Sequence, residues 1–104
     1  MRFPITLYKE NPEANRLAEY HEVTYALDSK VGGFALLELH GWWENEKGMP
    51  HFNSKVLYEP QNSEQDASAA MDARVAWLEK QGWTYKLTAD FNPDTGAWQP
   101  LRIP

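Results

Sequence analysis

The chain has 104 residues, 42% of them hydrophobic, and a formal net charge of -5, which suits one domain around one modest core. It has no cysteine, so disulfides, thiolate metal sites and a cysteine nucleophile are excluded. Ten Lys and Arg are scattered from Arg2 to Arg102 with no adjacent pair, and such an acidic surface repels phosphate backbones unless positive charge is gathered in one place.

The opening segment MRFPITLYKENPEANR lacks an apolar run and turns polar by Lys9, so it does not read as a signal peptide. Within it, Phe3, Ile5 and Leu7 alternate with Pro4, Thr6 and Tyr8, a strand that Pro4 pushes to a sheet edge. Asn11 is a good helix cap, with Pro12 and Glu13 behind it, so a short helical turn is expected over Pro12–Ala18. EYHEVTYALD sets Val23, Tyr25 and Leu27 against Glu22 and Thr24, a half-buried strand. SKVGG turns the chain into FALLELHGWW, whose Glu38 and His40 and short length rule out a membrane span. ENEKGMP is a loop and HFNSKVLYE the returning hairpin strand.

After Pro60 the period changes. SEQDASAAMDARVAWLEKQG is the clearest helix, capped by Ser63 or Asn62, with Glu64 and Asp66 at its positive end. Ala67, Ala70, Met71, Val75 and Leu78 form its apolar stripe, flanked by Ala73 and Trp77, and Gly82 is the natural stop. WTYKLTADF then alternates, with Tyr85, Leu87, Ala89 and Phe91 inward; NPDTG turns the chain, and AWQPLRI closes it with Pro100 at an edge. The expected fold is α+β: a mainly antiparallel sheet of about six strands, one long helix on one face, and the short N-terminal turn.

Little in the sequence favours catalysis. His21, His40 and His51 fall on three predicted strands without a local i, i+4 pair, whereas zinc needs three or four converging ligands. The four serines, Ser29, Ser54, Ser63 and Ser68, suit turns and caps, and VGGF lacks the lysine and helix of a phosphate loop. No metal or cofactor is expected.

The aromatics carry more. Five Trp, five Tyr and four Phe are many for a chain this short, and most must build the core. On the strand Phe34–Trp43 one face holds Phe34, Leu36, Glu38, His40 and Trp42; the other holds Ala35, Leu37, Leu39, Gly41 and Trp43. The wholly apolar second set is expected to meet the helix, with Trp43 inside. The first set, joined by Phe52, Val56 and Tyr58 if the hairpin pairs near Trp42 and Phe52, is expected to form a partly exposed platform. Glu44, Glu46 and Glu59 rim it against Lys47 and Lys55, and Glu59–Asp72 carries four acids and no base, a setting that suits a basic protein partner.

From Phe34 to Lys86, LHGWWENEKG, SKVLY and ARVAWLEKQGW resemble, in order, the pieces of a WGR domain. That family places a strand before a Trp-centred turn, then a glycine, a returning strand and a helix ending in K…GW or K…GY. The resemblance implies an α+β fold and DNA contact by the signature Trp and Arg. Glu44 and Asn45 stand where the Gly-Arg belongs, so the role passes only to Trp42 or Trp43.

The leading expectation is a cytoplasmic, non-catalytic protein-interaction or inhibitor-type module. Its binding residues are Phe34, Glu38, His40, Trp42, Trp43, Glu44, Lys47, Phe52, Lys55 and Tyr58; its partner is a protein, which the acidic character would fit to a nucleic-acid-handling protein. The alternative is a WGR-like nucleic-acid binder using Trp42, Trp43, Lys47 and Lys55. A metal-assisted enzyme using His21, Glu38 and His40 is the third.

Overall fold

The computed structural model describes residues 2–11, 16–44, 50–86, 89–92, 94 and 97–100; side chains are described for 2–10, 18–42, 54–86 and 94. Strands β1 (Ile5–Asn11), β2 (Arg16–Asp28), β3 (Gly33–Glu44) and β4 (Pro50–Gln61) form one antiparallel sheet in chain order. Helix α1 (Glu64–Lys80) crosses one face of it, and β5 (Ala89–Asn92) pairs with β6 (Ala97–Pro100) in a separate hairpin. The class is α+β, as expected.

Two finer expectations fail. The main sheet has four strands, because the last two pair with each other and leave the main sheet at β4. The helical turn over Pro12–Ala18 is also corrected: Arg16 and Ala18 are already in β2, opposite Glu44 and Trp43, while 12–15 lie outside the described residues. Cross-strand pairing satisfies the backbone groups of residues 16 and 18, so a turn does not extend over them.

Local chemistry sets the helix ends. The Ser63 Oγ accepts from the Asp66 amide at 3.1 Å, and Glu64 and Asp66 occupy the first turn. At the other end Gly82 takes φ +96°, a left-handed value that favours glycine. The Gly82 amide donates to the Glu79 carbonyl at 3.0 Å and the Trp83 amide to the Leu78 carbonyl at 3.2 Å, a paired C-terminal stop. That stop swings Trp83 back onto the sheet. Removing the cap hydroxyl with Ser63→Ala is expected to lower unfolding free energy by about 1 kcal/mol, read as a shift in the urea midpoint with unchanged slope.

The core gathers Leu7, Val23, Tyr25 and Leu36 from three strands under Ala67, Met71, Val75 and Leu78 of α1. Leu36 shares its face with Phe34 and Glu38, so the helix lies on the face expected to be open. The wholly apolar face, with Leu37 and Leu39 half-buried, is turned away from it. The face with no charge reads as the core face; the fold instead buries the ionised Glu38 and pairs it with Arg74 and His21.

The strands outrun the helix. Thirteen residues of β2 reach about 43 Å at roughly 3.3 Å each, against about 26 Å for the 17 residues of α1 at 1.5 Å each. Tyr25 bonds Glu64 near the helix start and His21 meets Trp83 just past its end. The sheet therefore overhangs α1 on the side of Glu19 and Trp42.

Candidate functional site

Two features on the helix side of the sheet meet at Arg74. The first is a buried polar cluster. Glu38 at the centre of β3 is fully buried, and its carboxylate takes hydrogen bonds from the Nε and Nη2 of Arg74, the latter at 3.1 Å. His21, its neighbour from β2, lies with Nδ1 2.7 Å from Oε2. Burial pushes the Glu38 carboxyl upward, but the hydrogen bonds from His21 and Arg74 and the guanidinium charge outweigh it and hold the pKa at about 2. The same contact raises the Arg74 pKa above its ordinary value, through the hydrogen bonds to Glu38.

The cluster continues into the overhang. His21 and His40 stand 4.8 Å apart between ring centroids, Trp83 and His21 meet in a T-shaped contact at 4.4 Å, and His40 lies tilted against Trp42 at 5.5 Å. His40 Nε2 is 3.0 Å from a Glu19 carboxylate oxygen. Lys9 donates to the Gln81 carbonyl at 3.0 Å and lies over Trp83. A hollow of about 250 Å³ remains between Lys9, Glu10, Glu19 and Trp83.

The arrangement uses its charges on itself. Each imidazole has a carboxylate partner, and no serine hydroxyl among the described residues bonds to either ring. Glu38, ionised far below neutral pH, has no proton to give as a general acid there. His21, Glu38 and His40, the residues of the metal expectation, do come together. Among the described residues, however, no group of three or more His, Asp or Glu is arranged to hold a metal ion.

The second feature is a groove of about 350 Å³ between α1 and β4, lined by Leu36, Leu57, Glu59, Ala70, Ala73, Arg74 and Trp77. It lies where α1, which packs mainly on β2 and β3, meets the outer strand β4. Trp77 forms its wall: the ring lies on the Arg74 guanidinium at 4.2 Å and is 48% exposed. Stacking on a guanidinium already fixed by a buried carboxylate holds the tryptophan in one pose.

Of the residues expected to bind, Phe34, Glu38, His40 and Trp42 share the helix face. Phe34 packs against the core and Glu38 is sealed beneath α1, so neither belongs to an open platform. His40 and Trp42 are partly exposed in the overhang. Trp42 does pair with Phe52, the register on which that platform was conditional. Tyr58 and Lys55 fall on the opposite face, where Tyr58 bonds Asp28 and Lys55 lies 5.0 Å from the Tyr58 ring. Lys55 is there by simple alternation from Phe52, whereas the register shift between Glu38 and Leu39, which leaves Val56 without a partner, reverses the alternation and carries Tyr58 there. Lys47 and the side chains of Trp43, Glu44 and Phe52 lie outside the described residues.

Sequence reasoning missed Arg74, Glu19 and Trp83, and gave Trp77 only a flanking role. A signal was present: Arg74 falls three after Met71 and four before Leu78, inside the apolar stripe, and Glu38 interrupts a hydrophobic strand. Two opposite charges on two buried faces predict each other.

Comparison of the chain with protein-family models, curated proteins and solved structures finds no match, so the resemblance to WGR domains is neither supported nor contradicted.

Proposed function

We propose that this chain is a non-catalytic protein-binding module whose contact surface is the groove between α1 and β4. The observation that carries the reading is Trp77, half exposed yet pinned on Arg74 beside an apolar trough. A rigid, exposed tryptophan loses little side-chain freedom on binding, and such residues dominate interface energetics. The polar cluster supports the same reading, since its charges are mutually compensated and serve to hold Arg74 in place. The surface differs from the hairpin platform expected from the sequence: none of the binding residues expected there lines the groove, which is built by the outer strand and the helix beside it.

Trp77→Ala is expected to change unfolding free energy by no more than about 1 kcal/mol, because the ring covers little of the core. Its affinity for a partner recovered by co-purification is expected to fall at least about 30-fold, the loss of a hot-spot residue. Calorimetric titration of wild type and variant with that partner checks this. Equal affinities, with folding intact in both, would remove the reading.

A further inference from the structure

The open edge of β4 runs beside the groove. The outer edge of β1 is partly closed: Tyr8 and Thr84 exchange backbone hydrogen bonds of 2.7 and 3.0 Å. Among the described residues no strand pairs with the outer edge of β4. That edge is not open along its length. The bulge at Val56 interrupts the ladder on one side, and Pro60, which has no N–H to give, stands on the other. Bulges and prolines guard an edge against pairing with another long strand. Here they leave a window of three residues, Leu57, Tyr58 and Glu59.

The window and the groove coincide. Leu57 and Glu59 line the groove, while Tyr58 between them bonds to Asp28 on the other face. An extended segment added along this window would place alternate side chains over the groove, spaced as Leu57 and Glu59 are. Leu36, Leu57, Ala70, Ala73 and Trp77 offer one of them an apolar seat. Glu59 meets the next; its carboxylate takes a hydrogen bond from Gln61 at 3.2 Å, and Glu64 and Asp66 follow in the first turn of α1.

We infer that the groove binds a short extended peptide by strand addition at Leu57–Glu59. The peptide seats an apolar side chain against Trp77 and presents Lys or Arg to Glu59, two residues away in either direction. The inference rests on the binding-module reading and names its partner. A second copy of this chain does not suit the site, because three residues of edge between a bulge and a proline are too few for two long strands to zip together. The basic residue follows from the charge of the rim, and a two-residue spacing follows from the pleat.

The experiment is selection of a displayed random heptapeptide library on the whole chain, followed by titration of the enriched peptides. The expected winners pair an apolar residue with Lys or Arg at a spacing of two. Their binding is expected to weaken at least about 30-fold in Trp77→Ala and about tenfold in Glu59→Lys. Methylating a peptide backbone nitrogen that faces the edge is expected to cost about another tenfold. Winners with apolar residues three and four apart, still dependent on Trp77 and indifferent to every backbone methylation, would overturn strand addition while the groove remains a binding site. No enrichment, or winners indifferent to Trp77, would overturn the inference, and the co-purified partner then judges the broader reading separately. Sedimentation showing a dimer that Glu59→Lys dissociates would assign the groove to a second copy and also overturn it.

Discussion

Replacing Arg74 with methionine is expected to cost the protein about 3–5 kcal/mol, the usual loss when one member of a buried ion pair is removed. Methionine matches much of the volume, so the penalty does not come from an empty space. It comes from Glu38, which is fully buried and would keep only His21 as a partner. An unpaired carboxylate in that position must either stay charged in an apolar setting or take up a proton, and both are unfavourable. Replacing both residues, Glu38→Met with Arg74→Met, is expected to recover most of the loss, because the pair's attraction and its desolvation largely cancel. Urea unfolding of the two single variants and the double variant closes the cycle. An Arg74→Met protein within about 0.5 kcal/mol of wild type, a change typical of an uninvolved surface site, would mean that Glu38 is not held as described. Arg74→Lys separates charge from shape: one ammonium cannot make the forked contact or present a flat face to Trp77, so stability and binding should both fall.

Acid should act on the same carboxylate. The folded-state pKa of Glu38 lies at about 2, below its ordinary value of 4.5. A depressed carboxylate contributes stability that is fully present above the unfolded value and is lost as pH falls toward the folded one. The gap between 4.5 and about 2, at roughly 1.4 kcal/mol per pH unit, makes the contribution about 3 kcal/mol. Wild type is therefore expected to lose that amount between pH 4.5 and 2, beyond the loss from its surface carboxylates. Glu38→Gln, which has nothing to titrate at this position, should start less stable and decline less steeply. Parallel slopes for the two proteins across that window would contradict the assignment. Fluorescence-monitored urea titrations at half-unit pH steps give the comparison.

Much of the fold was legible from local chemistry. Ser63 and Gly82 mark the ends of α1 because a hydroxyl and a missing Cβ solve specific terminal problems, and the strands alternate as a half-covered sheet requires. The face of β3 that meets the helix was not legible from hydrophobicity. Leu37 and Leu39 make the more apolar face, yet Glu38 goes inside, since Arg74 arrives from an element 36 residues away and His21 from the neighbouring strand. Only the joint reading of two interrupted patterns carries that information. The bulge at Val56 hid the side taken by Tyr58 for a similar reason: alternation counted along one strand has no sight of a slip against its partner. The last two strands were legible only in part: WTYKLTADF reads as one alternating strand, but β5 begins at Ala89, Tyr85 is exposed and not inward, and the two strands pair as a hairpin outside the main sheet.

The chain's lack of cysteine gives a clean background for locating the contact face. Ala73→Cys places a thiol in the groove, and Ala26→Cys places one on the sheet face turned away from α1. Both proteins would be labelled with a thiol reagent, with and without a saturating bound peptide. The peptide is expected to shield position 73 and to leave position 26 reacting at its unbound rate. Shielding at 26 with unchanged reaction at 73 would place the binding surface on the other side of the sheet and contradict the groove as the contact surface.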